Sequence, residues 1–347
     1  MQLLTSDIGW TLVQHSGVVL RTLYWTENGG TDWNIIRPPA FSPQGISSTF
    51  FLDTKRGWAL SCGFGRALVF STTNSAADWS ITNVDIPGLP PERINNREDC
   101  QIYFADSLHG WISFTAENAN GSKSGLLVTS DGGRTWDPAS NDIGKMGYLR
   151  FVTPMDGWML VPSSDELYVA RDGAKSWGKV SLAAPREIYP ATEATYDLPT
   201  FEDSNHGFLP VTYSGGLGVK AAAVLFATED GGQTWKSDRI LANLNGMPVG
   251  NWVASAVAGP AWITLNRSDD NNPTITAIAS GATVNASSNA TPGYYGARQL
   301  IFVTPTRGWV LLNDGQALST MDGGATWSDL VFSPNLPVVA PHPAPRP

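Results

Sequence analysis

The chain has 347 residues, 42% of them hydrophobic and 15% charged, with 35 Gly and 24 Pro. That is enough to bury a sizeable core, and it fits many turns and short strands better than long helices. The net charge of −9 argues against a nucleic-acid backbone and an anionic lipid surface as partners, since both are held by clustered Lys and Arg. No apolar run approaches the ~20 residues of a membrane helix.

Along the chain, the opening Met1–Asp7 lacks a basic segment, and Asp7 breaks its apolar stretch, so it does not read as a signal peptide. A unit then recurs seven times. Each begins with a short apolar strand and a turn, followed by Gly9-Trp10, Gly57-Trp58, Gly110-Trp111, Gly157-Trp158, Gly207-Phe208, Ala261-Trp262 or Gly308-Trp309. Successive aromatic positions lie 47 to 54 residues apart, close to the length of one four-stranded propeller blade. The preceding strands read alike, as in Leu149–Thr153 and Leu300–Thr304.

A second signature closes the third strand of most units. Thr129-Ser-Asp131-Gly-Gly-Arg-Thr135-Trp136 returns at Thr228–Trp235 and Thr320–Trp327, and nearly so at Ala170–Trp177. Thr26–Trp33 and Thr72–Trp79 are worn copies with Asn for Asp, and the sixth unit has lost the motif. There, Ser280-Gly281 is expected to turn a plain hairpin between Thr274–Ala279 and Ala282–Asn285. Asp-Gly or Asn-Gly between extended runs favours a hairpin, and the Asp and Thr side chains can bond backbone N–H groups inside it.

These motifs resemble the Asp-box (bacterial neuraminidase-type) repeat of the sialidase superfamily. They resemble more closely the propellers that include the photosystem II stability/assembly factors of plants and cyanobacteria. The resemblance covers residues ~2–332. It implies an all-β, seven-bladed β-propeller of four-stranded antiparallel blades as a single domain, 1–332. The Pro-rich tail 333–347 is expected to be extended. The resemblance also implies that Asp131, Asp172, Asp230 and Asp322 staple turns on the rim, too far apart to act as a catalytic pair. Of the 14 Trp, twelve fall on the two repeat signatures and are expected to pack between blades, leaving Trp25 and Trp252.

A ligand site is expected where unlike connections converge over the ring axis. Arg93, Arg97, Arg186 and Arg298 form a candidate cationic pocket for a carboxylate, with Tyr189, Tyr196 and Tyr294 nearby; the alternative is four solvated arginines. A sialidase resembling the family carries an Arg-Ile-Pro step that is missing here, where Arg93-Ile94-Asn95 stands instead. Ser214–Val219 resembles a phosphate loop by composition only. Cys62 and Cys100 lie in neighbouring repeats and read either as two buried thiols or as a disulfide. With His15, His109, His206 and His342 scattered, neither a metal site nor a cofactor is expected.

The function expected is non-catalytic: an extracytoplasmic binding or assembly propeller presenting loops to a protein or glycan partner. The alternatives are a sialidase-like glycan hydrolase and a structural subunit of a cell-surface assembly. The family's described basic patch sits poorly with the −9 charge.

Overall fold

The computed structural model describes residues 2–330 apart from short gaps, the longest at 15–20, 39–44, 87–98, 215–221, 243–251 and 287–296. Across 252–299 it describes backbone only. Among the described residues the chain is β-strand and turn, with one short 3-10 turn at Arg186–Ile188. It divides into two compact units, Gln2–Lys179 and Val180–Val331.

The first unit holds four antiparallel sheets, each a run of four consecutive strands. They are β1 (Gln2–Leu3) to β4 (Asn34–Ile36) with β2 (Gly9–Gln14) and β3 (Arg21–Thr26); β5 (Ser48–Phe51), β6 (Gly57–Gly63), β7 (Arg66–Thr72) and β8 (Ser80–Asp85); β9 (Asp99–Phe104), β10 (Gly110–Asn118), β11 (Gly121–Thr129) and β12 (Asp137–Pro138); and β13 (Tyr148–Phe151), β14 (Gly157–Val161), β15 (Glu166–Ala170) and β16 (Gly178–Lys179). The second unit begins with β17 (Glu193–Tyr196) and β18 (Thr200–Phe201), both paired with β19 (Gly207–Ser214), then β20 (Ala222–Thr228) and β21 (Lys236–Ala242). Pro199 lies between β17 and β18 and has no N–H to offer the ladder, so the first strand of this sheet is split. Then come β22 (Trp252–Ala258), β23 (Ala261–Arg267), β24 (Pro273–Ala279) and β25 (Ala282–Ala286), and finally β26 (Ala297–Phe302), β27 (Gly308–Leu312), β28 (Ala317–Thr320) and β29 (Ser328–Asp329).

The architecture is an all-β propeller of four-stranded antiparallel blades. Side chains are described in six of the sheets, and in β22–β25 the backbone alone. The expectation of seven closed blades is thereby met only at this coarser level. The hairpin expected around Ser280-Gly281 is present as β24 and β25, with the two turn residues outside the described set. The Pro-rich tail 333–347 and Gly215–Val219 also lie outside it.

The Gly-Trp step has a packing cause. Its glycine faces a phenylalanine on the neighbouring strand: Phe104 opposite Gly110, Phe151 opposite Gly157, Phe302 opposite Gly308. A Cβ on Gly110 would sit 2.5 Å from the Phe104 ring, and one on Gly308 2.6 Å from Phe302. The bare glycine is therefore the seat of the ring. The free face of that ring meets the tryptophan of the preceding blade. Trp58 stacks on Phe104 at 3.6 Å between ring centroids, and Trp111 on Phe151 at 3.5 Å. The tryptophan after the Asp-Gly-Gly turn closes the edge, as Trp136 does on Phe104 at 6.0 Å and 83°. Stacked and edge-on aromatic pairs of this kind are each worth roughly 0.5–1.5 kcal/mol beyond the area they bury.

The indole N–H groups add a polar link across the seam. Trp58 donates to the Gly132 carbonyl of the next blade at 3.0 Å, and Trp111 to Gly173 at 3.4 Å. Between the first two sheets the turn has Ser75 and Ala76 for the two glycines, and there the Trp10 indole N–H finds no acceptor among the described residues. Trp25, outside both repeat signatures, is also core: it lies 5.0 Å from Phe51 and is 4% exposed.

The eight-residue turns are built from within. Asp131 accepts the N–H and the hydroxyl of Thr135 at 3.0 and 2.7 Å, while Thr129 donates to Asp131 and accepts from Gly133 N–H at 3.0 Å. Asp230 with Thr234 and Asp322 with Thr326 repeat this, and Asp172 does so with Ser176. The worn copies keep the geometry with donor and acceptor exchanged. Asn28 Nδ2 donates to Asp32 at 2.8 Å, and Asn74 Nδ2 to Asp78 at 2.8 Å. Each turn is also tied to the first hairpin of its own blade by one backbone bond, for example Gly132 N–H to Leu108 O at 2.9 Å. Gly132 takes φ +80°, and a Cβ there would meet the Ser107 carbonyl at 2.9 Å.

Of the two readings left open for the cysteines, the disulfide holds. Cys62 at the end of β6 and Cys100 at the start of β9 are bonded, with Cα atoms 6.4 Å apart. The bridge joins two blades inside a cluster that includes Ile86, Ile102 and Phe114.

Three outcomes are expected. Gly110→Ala drives a methyl into the Phe104 ring and should lower unfolding free energy by about 1–3 kcal/mol in denaturant titration. Reduction, or Cys62→Ser with Cys100→Ser, opens a crosslink spanning 38 residues and should cost about 4 kcal/mol by the same measurement. The N–H and hydroxyl of Thr135 hold Asp131 down to about 2, from an ordinary 3.8. A depressed carboxylate stabilises the fold above its unfolded pKa, and that share is lost as pH falls through the folded value. Asp131→Asn should therefore make the fall in melting temperature between pH 3.8 and about 2 shallower.

Candidate functional site

Each blade has two unlike ends. One carries the first hairpin and the Asp-Gly-Gly turn, both short and closed by their own hydrogen bonds. The other carries the tip between the second and third strands and the connection to the next blade. Asp131, Asp172, Asp230 and Asp322 all lie in the closed turns, with both carboxylate oxygens engaged by Thr or Ser at the fourth residue on. They act as fasteners within one turn each.

Seven residues were expected to bind a ligand. Arg93, Arg97, Tyr189 and Tyr294 lie outside the described residues, and Arg298 is described only as backbone in β26. Arg186 begins the short 3-10 turn and is exposed. Tyr196 does not present itself to a ligand: it is 7% exposed, and its oxygen accepts the Leu182 N–H at 2.8 Å. Beside it, Tyr213 donates to the Leu182 carbonyl at 3.0 Å, and burial pushes its phenol well above the usual range. The two tyrosines clamp the connection that enters the fifth sheet.

The densest polar cluster among the described residues was not legible as a site. Glu166, the first residue of β15, receives Lys145 on Oε2 and Lys179 on Oε1 at 2.7 Å. Ser164 and Tyr168 donate to Oε2 at 2.9 and 3.0 Å. Lys145 also donates to the Tyr168 oxygen at 2.8 Å, and its ammonium lies 5.0 Å from that ring's centroid. Three elements converge here: β15 supplies Glu166 and Tyr168 on one face, β16 places Lys179 opposite Tyr168, and the connection before β13 brings Lys145. Hydrogen bonds from Lys145 and then Lys179 hold the Glu166 carboxyl far below its ordinary range, and both lysines are raised in return. The alternation Glu166-Leu167-Tyr168 marks a shared strand face, but nothing in the sequence joins Lys145 to it.

Such a cluster is built to stay charged. It holds a carboxylate that cannot donate a proton near neutral pH and ammonium groups that cannot act as bases. It suits electrostatic contact. Among the described residues no group of three His, Cys, Asp or Glu is placed to hold a metal ion.

No family model matches this chain, and no curated protein matches its sequence. Its fold is similar to known structures. YCF48 bound to D1 peptide is 16% identical with a TM-score of 0.57, over 92% of this chain and 91% of that one. The GH74 enzyme of Niastella koreensis is 13% identical with a TM-score of 0.59, over 94% of this chain and 55% of that one. The BP39L lectin of Burkholderia pseudomallei is 14% identical with a TM-score of 0.53, over 95% and 97%. This chain thus spans about half the enzyme and nearly the whole of the other two, and at these identities the likeness is one of fold.

Proposed function

We propose that this chain is a non-catalytic binding or assembly propeller whose open end docks a protein partner. In this reading residues 1–332 form one domain, a closed ring of seven blades built from Asp-box repeats, with 333–347 as a spacer. The observation that carries the proposal concerns the carboxylates. Every described Asp or Glu with a shifted pKa is held below its ordinary value: Asp53, Asp106, Asp131, Glu166, Asp172, Asp203 and Asp230. A glycosidic mechanism of the common two-carboxylate type uses one carboxyl raised, to serve as general acid beside an ionised partner, whereas these carboxylates are tied into their own turns and the lysine cluster.

A protein partner is favoured because YCF48, whose structure is bound to a peptide, matches over nearly the full length of both chains. An extracytoplasmic setting is supported by the buried Cys62–Cys100 bridge, since structural disulfides persist in oxidising compartments. The test is a reducing-end assay on xyloglucan, other β-glucans and sialosides, run beside a peptide array. The expected result is no sugar release together with saturable capture of particular peptides. Steady release of reducing ends would replace this reading with the glycan hydrolase, and retention of glycans alone would make it a lectin.

A further inference from the structure

The cluster around Glu166 has binding capacity that its internal bonds leave over. An ammonium carries three donors. Lys145 spends two, on Glu166 and Tyr168, and Lys179 spends one on Glu166. Both side chains reach solvent, at 36% and 56% exposure, while Glu166 beneath them is 22% exposed. The two ammonium groups are the solvent-facing charges over half-buried Glu166, on a chain of net charge −9. The lysines bond opposite oxygens of a single carboxylate, so their ammonium groups flank it.

We propose that Lys145 and Lys179 form a receptor for the carboxylate side chain of an acidic peptide, with Glu166 and Tyr168 as positioning residues. This rests on the binding reading above and names the chemistry of its partner. A peptide is favoured over an acidic sugar because the binding reading above names a protein partner, on the strength of the peptide-bound YCF48 structure that matches nearly the whole chain. Exposed Asp165, one residue before Glu166, repels the same guest and keeps the contact weak. The order that Glu166 imposes lowers the entropy of fixing two long side chains on binding.

The test titrates the full chain with hexaglutamate, with hexaglutamine and with an oligoglucuronate, by calorimetry. Hexaglutamate should bind saturably, more weakly at high ionic strength, and hexaglutamine should not bind. Lys145→Gln with Lys179→Gln, which keeps the apolar stems, should weaken binding about tenfold, as expected when two exposed ion pairs are lost. Lys175→Gln, in the closed turn at the other end of the same blade, should leave binding unchanged. Glu166→Gln removes the charge that orders both lysines, and the same calorimetry should show a less favourable binding entropy. Equal affinity in the double variant overturns the receptor while leaving a peptide-binding propeller intact. So does an oligoglucuronate that binds as tightly as the peptide, or a wild-type chain that ignores hexaglutamate.

Discussion

A phenylalanine ring laid on a bare glycine is the contact from which the blade arrangement follows. The ring can lie flat against its own sheet only where the opposite residue has no Cβ, as at Gly110 and Gly308. Lying flat, it offers a full face outward, and the Trp58 or Trp111 indole of the preceding blade stacks on it. That stack sets the spacing between sheets and brings the indole N–H to the carbonyl of the neighbouring turn. The turn must then be the compact form that exposes this carbonyl, which accounts for its paired glycines and its internal Asp–Thr bonds. The tryptophan of one repeat and the Asp-Gly-Gly turn of the next are thus two halves of one seam.

The two ends of the blades divide the labour. Carboxylates at the closed end are consumed by turn N–H and hydroxyl groups, and the same chemistry that makes them good fasteners removes them from catalysis. The open end varies from blade to blade, as the Tyr196–Tyr213 clamp and the Lys145–Glu166–Lys179 cluster illustrate. A repeating frame with unlike connections lets a fold stay fixed while its binding chemistry changes.

Much of the frame was legible because its constraints are local. The Gly-Trp step and the Asp-Gly-Gly turn each lie within a few residues, and their recurrence marks out four-stranded units in the sequence itself. The Phe-on-Gly contact joins residues only six apart, as at Phe104 and Gly110, yet the sequence shows spacing and not which ring covers which glycine. The copies read as worn keep their turns by exchanging donor and acceptor, so identity understated what hydrogen-bond complementarity preserves. The site was less legible. Arginine-rich connections drew attention by composition, whereas Tyr196 proved to be a clamp and the charged cluster needed Lys145 to be folded back some twenty residues onto β15. The bond between Cys62 and Cys100 is of the same non-local kind.

The seams have a direction. At two joints of the first unit the Trp58 and Trp111 indoles point from one blade to the turn of the next, so each of those turns is completed by the blade before it. Stability in such a row is a sum of units and nearest-neighbour joints, and the joint between β5–β8 and β9–β12 carries both a stacked indole and a covalent crosslink. Under mechanical load applied at the two ends of the chain, that joint would be the last to part, and rupture would proceed as discrete steps about one sheet in length.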